Sequence, residues 1–133
     1  MTVKEFKASF EEYIKYLELE AKIKERIEYL YYELSGVKGI AYDKVPSSFN
    51  QGLNDERKLI LIEMINTKQA ELKYLQAKYH YFSLILKKLD PEDLDLLFRL
   101  LIRKQSYESV AKEYDMSASA LWKYVEKVIE EIL

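Results

Sequence analysis

Leu89-Asp90-Pro91-Glu92-Asp93-Leu94, followed by Ser106-Tyr107-Glu108-Ser109-Val110-Ala111-Lys112-Glu113-Tyr114-Asp115-Met116-Ser117-Ala118-Ser119-Ala120-Leu121, are the stretches whose reading decides the fold. Asp90 as N-cap, a proline at the first helical position and two carboxylates in the first turn mark a helix start. Its apolar face is expected to be Leu94, Leu97, Phe98, Leu101 and Ile102, and Arg103 and Lys104 complement its carbonyl end. Ser106 then caps a short helix running to Tyr114, with Val110, Ala111 and Tyr114 turned inward. Asp115-Met116-Ser117 forms a turn, and Ser117 caps a last helix that buries Leu121, Val125, Val128 or Ile129, and Ile132.

Upstream, Phe6, Phe10, Tyr13, Leu17, Ile27, Leu30 and Leu34 recur at three, four or seven residues, the spacing that keeps a stripe on one helix face. Ala21, Ile23 and Lys24 interrupt that stripe, and Ser35-Gly36 supplies a helix end. A second stripe starts after an N-cap at Asn54 or Asp55 and runs from Leu61 or Ile62 through Ile65, Leu72, Leu75, Tyr79, Phe82, Leu86 and Leu89. Two helices of this length, about 50 Å each, are too long for a compact globule to cover, so the stripes should bury each other. An antiparallel hairpin of coiled-coil type follows, with Phe6 to Leu17 opposite Tyr79 to Leu89 and Ile27 to Leu34 opposite Leu59 to Ile65. Residues 36–55 hold all three glycines and one of the two prolines and read as a connecting loop, either mobile or folded back through Ile40, Tyr42, Val45 and Phe49. The expected protein is therefore all-α, with a helical hairpin over residues 1–88 and a three-helix domain over 89–133.

Composition narrows the function. The chain has 133 residues, no cysteine and a single histidine, His80, which removes disulfides, thiolate chemistry, most zinc sites and the usual Ser-His-Asp arrangement. Carboxylate pairs such as Glu11-Glu12 and Glu130-Glu131 lie on charged helices without a glycine loop or cationic clamp, and read as solvated faces. No phosphate loop or dinucleotide fingerprint occurs, so no enzyme activity and no cofactor are expected. With 33% charged residues, no long apolar run and no signal-peptide pattern, the chain is expected in the cytoplasm and off the membrane. The formal net charge of -2 divides unevenly, with 15 basic and 13 acidic residues up to residue 88 and 6 basic and 10 acidic beyond it. Twelve tyrosines read mainly as amphipathic packing residues.

Three short helices with a tight turn between the second and third have the arrangement of a helix-turn-helix, in which the last helix enters the major groove. Residues 89–132 resemble region 4 of bacterial sigma factors. The shared features are the Leu89-Asp90-Pro91-Glu92 opening, the Ser109-Val110-Ala111 helix, and Ser117 with Leu121 four residues on. The whole chain is similar to the ArpU and RinA type of late transcriptional regulators of phages and prophages of Gram-positive bacteria, which also carry a Tyr-Asp and a serine pair in the loop, here Tyr42-Asp43 and Ser47-Ser48. The resemblance implies double-stranded promoter or operator DNA as partner, with Ser117 donating to a phosphate and Ala118, Ser119, Trp122, Lys123 and Glu126 toward the bases. Arg103, Lys104, Ser106, Tyr107, Lys112 and Lys127 would hold the phosphates. It also implies a homodimer and host RNA polymerase or another host protein as a further partner.

Each of these residues has a plainer role as well. Ser106 and Ser117 cap helices with or without DNA, and the lysines also suit a solvated surface. Ala118 and Ser119 stand where sigma-like domains often carry a basic residue, and the segment from residue 89 onward is net acidic. A second reading is therefore a protein-binding adaptor or inhibitor of a host factor, built around Trp122 and the tyrosines. A third, the small subunit of a terminase, places its DNA-binding part first, the reverse of the order here.

Overall fold

The computed structural model describes residues 1–36 and 55–133, and these contain helices and no strand. Helix α1 spans Val3–Ser35, α2 Asp55–Leu86, α3 Pro91–Leu97, α4 Tyr107–Glu113 and α5 Ala118–Ile132, and α3 runs on into a π-helical turn, Phe98–Ile102. The described residues are thus all-α, as their periodicity requires. Of the expected 36–55 loop, residues 37–54, with its packing residues, its Tyr42-Asp43 and Ser47-Ser48 pairs and the Asn54 cap, lie outside the described residues, while Asp55 already belongs to α2. None of the described helices is long and apolar enough to cross a membrane.

The described residues cluster into two compact units, Met1–Lys15 with Tyr79–Leu133, and Tyr16–Lys78. This division differs from the boundary read at residue 88, because the first four turns of α1 share the core of the C-terminal helices.

In the unit formed by residues 16–78, α1 and α2 pair antiparallel. Leu30, Leu61 and Ile65 form a small buried cluster to which Leu34 adds. Arg57 pairs with Glu33 at 3.5 Å, Gln69 donates to the Tyr31 hydroxyl at 3.1 Å, and Gln76 donates to Glu20 at 3.4 Å, an ascending register along α2 against a descending one along α1. Tyr16 and Ile23 take inward positions, and Leu17, expected on the stripe, is exposed. Tyr16, Ile23 and Leu30 are spaced by sevens, so Ile23 belongs to the buried line rather than interrupting it, and Leu17 is one step, about 100°, off that line. Tyr16 also donates its hydroxyl to Glu20, which holds that carboxyl below the usual carboxylate range. Gly36, with φ of 74°, ends α1 in the left-handed region where a side chain would clash, and donates to Glu33 at 3.2 Å.

In the other unit, Phe6, Phe10, Phe82 and Ile85 join Leu89, Leu97, Val110, Leu121, Val125 and Ile129 in one core. The Phe6 and Phe82 ring centres are 5.3 Å apart, and Tyr13 stands 5.4 Å from Phe82, distances at which tilted aromatic pairs gain beyond area burial. Tyr79 donates to Glu12 at 2.8 Å. Leu96 and Leu100 are buried along with Leu97 and Leu101, whereas Leu94 is exposed and Phe98 and Ile102 are half-buried. Leu96, Leu97, Leu100 and Leu101 share one face at 100° per residue, about 100° round from the expected one and already set at Leu96, before the π turn in which the Arg103 amide donates to Phe98 five residues back at 3.1 Å. Lys104, at φ 56°, then reverses the chain and lets the Gln105 amide reach the Arg99 carbonyl at 3.1 Å.

Candidate nucleic-acid interface

Helices α4 and α5 are placed by local chemistry at both ends of their connection. The Ser106 hydroxyl accepts from the Ser109 amide at 3.2 Å and the Ser117 hydroxyl from the Ala120 amide at 3.1 Å, each satisfying one of the unpaired donors of a helix start. Between them α4 ends in a Schellman turn. The Met116 amide donates to Ala111 at 3.1 Å, the Asp115 amide to Lys112 at 3.3 Å, and Asp115 takes φ of 53°, which aspartate tolerates better than most residues. That reversal overturns one expectation. Tyr114 is not inward but 48% exposed, because it is the last residue before the left-handed step, and Met116 packs on the core in its place. Replacing Ser117 by alanine should cost about 1 kcal/mol, measurable as a lower urea midpoint at unchanged m-value, with glycine milder than alanine.

Leu121, Val125, Ile129 and Ile132 bury one face of α5, which settles the choice between Val128 and Ile129 in favour of Ile129, with Val128 half-buried beside it. At 100° per residue the opposite face carries Ser119, Lys123 and Lys127, all exposed. Lys112, on α4, is exposed too, and none of these three lysines forms an ion pair among the described residues. Trp122 and Glu126 occupy the flank of α5 toward α1. Lys7 reaches Glu126 at 2.6 Å and lies 6.0 Å from the centre of the Trp122 ring, which remains 51% exposed. Tyr124 occupies the other flank and donates its hydroxyl to Asp93 at 2.7 Å.

The twelve residues singled out in the sequence therefore separate. Ser119, Lys123 and Lys127 share the outer face of α5, with Ser117 and half-buried Ala118 at its start. Ser106 and half-buried Tyr107 stand at the start of α4. Glu126 is engaged by Lys7, and Lys104 is engaged by Glu11, whose pKa the ammonium lowers through a hydrogen bond and its charge. The Arg103 guanidinium lies 5.3 Å from the centre of the Phe98 ring, within cation-π range.

Three residues that the sequence reading passed over shape this surface. Arg99 holds Glu113 through two bonds of 2.7 and 3.0 Å and donates to Gln105 at 2.9 Å, so it ties the π turn to α4. The same bond raises the Arg99 pKa and lowers that of Glu113. Lys7 and Tyr124 complete the set. No sequence signal marks any of the three, since their partners lie 14, 119 and 31 residues away and follow no helical period.

The pKa of Tyr124 is pushed up to about 12, first by its hydrogen bond to Asp93, then by burial and by the charges of Asp93, Asp90 and Glu92. The folded state therefore keeps this proton above the pH at which the unfolded chain releases it. Its contribution is complete below pH of about 10 and fades as the pH rises toward about 12. Ultraviolet titration should show a phenol ionising at about pH 12, and Tyr124→Phe should remove that step.

Among the described residues no group of three histidines or carboxylates is arranged to hold a metal ion. Compared with known proteins, the chain has no significant match to a family model, a curated protein or a solved structure.

Proposed function

We propose that this chain is a non-enzymatic transcriptional regulator of the phage type that binds double-stranded promoter or operator DNA. In this reading α4 and α5 work as a helix-turn-helix of the sigma region 4 kind, with α5 in the major groove. The observation that carries it is the outer face of α5, where Ser119, Lys123 and Lys127 are exposed on a helix anchored by four buried apolar residues, capped by Ser117 and joined to α4 by a tight turn. Lys123 is the central base-edge residue and Lys127 and Lys112 meet phosphates, while the serine hydroxyls at the two helix starts add neutral phosphate contacts. Glu126 keeps Lys7 rather than a cytosine. The protein acts in the cytoplasm as a homodimer, which doubles the contacts available to a domain whose own charge is acidic. Host RNA polymerase is the further partner.

The test is fluorescence anisotropy of purified protein on fragments of its own genomic neighbourhood. With four phosphate contacts per dimer, affinity should fall about a hundredfold between about 50 and 200 mM salt. Lys127→Gln should lower affinity on all sequences and flatten the salt slope by about one unit per contact removed, whereas Lys123→Ala should relax sequence preference. Absence of salt-sensitive binding to every fragment at the lower salt would overturn the proposal.

A second reading, the protein-binding adaptor, is favoured by one observation. Asp90, Glu92, Asp93 and Asp95 cluster at the start of α3 and none pairs with a cation among the described residues. Such a surface repels phosphates and suits a basic protein.

A further inference from the structure

Beside α3 and α5, within the unit built from residues 1–15 and 79–133, lies an open cavity of about 270 Å³. Its floor is apolar, made of Leu96 and Leu121, both buried, and half-buried Met116. Two tyrosines, Tyr114 and Tyr124, and two carboxylates, Glu92 and Asp93, complete its lining. Asp93 uses one oxygen to accept from Tyr124 at 2.7 Å, and Glu92 is exposed with no ion pair among the described residues.

We propose that this groove is a docking site for a partner protein and receives from it one long basic side chain, an arginine or a lysine. The shape and the charge argue for the same occupant. Small-molecule and cofactor sites occupy about 300–1,000 Å³ and are mostly enclosed, whereas this open cavity is smaller and suits a single long side chain. An aliphatic stem would lie on Leu96, Met116 and Leu121 and lose little by leaving water, while its charged head reaches Glu92 and Asp93. The faces of Tyr114 and Tyr124 carry negative quadrupole density that attracts a cation further. The local potential is negative as well, since Asp90, Glu92 and Asp93 together disfavour ionisation of the Tyr124 phenol. An anionic guest, DNA included, would meet that same field as repulsion.

The groove lies on the Asp93 flank of α5, apart from the outer face that carries Lys123 and Lys127, so the site goes beyond the DNA-reading proposal and does not depend on it. Its physical role would be to let the domain hold a basic protein segment while the outer face of α5 stays open.

The experiment is a nitrogen-15 NMR titration of the full chain with three capped tripeptides, in which alanines flank an arginine, a lysine or a norleucine. Dissociation constants of about a millimolar are expected for the first two probes. The amide signals of Leu96, Tyr114, Met116 and Leu121 should move together. The norleucine probe, which keeps the stem and lacks the charge, should bind at least about fivefold more weakly. Glu92→Gln with Asp93→Asn should abolish the difference between probes. Glu92 is exposed, so Glu92→Gln alone is the variant to use if the pair disturbs folding, and it should narrow the difference. The proposal is overturned if no probe moves these signals, if the norleucine probe binds as well as the arginine probe, or if the shifts fall on Ser119, Lys123 and Lys127. It is equally overturned if the signals of Leu96, Tyr114, Met116 and Leu121 shift with protein concentration alone, as a second copy of this chain covering the groove would make them do.

Discussion

A fragment carrying residues 89–133 alone should fail to fold cooperatively, although its three helices and their caps are all present. Its inward side chains, among them Leu97, Val110, Leu121 and Ile129, share their core with Phe6 and Phe10 from α1 and Phe82 and Ile85 from α2. Without those four residues the fragment, about 45 residues long, would expose much of the apolar surface it needs to bury, at a size where one core is barely sufficient. Its charged ties are lost too, since Lys7 holds Glu126 and Glu11 holds Lys104. Circular dichroism should show reduced helix and a broad, non-cooperative melt for the fragment, beside a sharp transition for the full chain. A sharp melt of the fragment with an m-value appropriate to its size would refute the shared core.

Phe6→Ala should produce the largest loss from a single substitution, about 3–5 kcal/mol. Phe6 is fully buried and stacks near Phe10 at 6.1 Å and Phe82 at 5.3 Å, so truncation removes a ring that two neighbours cannot collapse to replace. Against a typical folding stability of about 5–15 kcal/mol, a loss of that size is a third or more of the total in most cases. The effect should reach the C-terminal helices, visible as faster amide exchange at Val110 and Leu121, because all of them share one cluster. Tyr81→Ala is the control. That ring is 71% exposed, and its removal should change stability by no more than about 0.5 kcal/mol. Equal effects of the two substitutions would show that Phe6 is not part of the core.

The helices were legible because their signals are short-range. Pro91 with Glu92 and Asp93 marks the start of α3, Ser106 and Ser117 each accept from an amide three residues on, and Gly36 closes α1. These effects need only neighbouring residues, so periodicity and capping rules reach them. One misreading arose where the chain leaves ideal helical pitch. Tyr114 turned outward because Asp115 adopts the left-handed region, whereas on α3 the closely spaced leucines Leu94, Leu96, Leu97, Leu100 and Leu101 allow more than one helix face and only packing chooses between them. Leu17 misled in the same way, since the three-four rule admits both Tyr16 and Leu17.

The candidate interface divides along the same line. That Ser117 caps α5 and that Leu121, Val125, Ile129 and Ile132 face inward follows from the amino-acid order, and the outer position of Ser119, Lys123 and Lys127 follows with it. Which polar groups keep that surface to themselves was decided only by the tertiary structure. Lys7 engages Glu126 across 119 positions and Glu11 engages Lys104 across 93, and Tyr124 meets Asp93 across 31 to wall the groove beside α3. The physical reason is range. Helix formation and capping are set by groups within a few residues along the chain, whereas the pairing of an exposed charge depends on which distant segment the burial of Phe6, Phe10 and Phe82 carries alongside it.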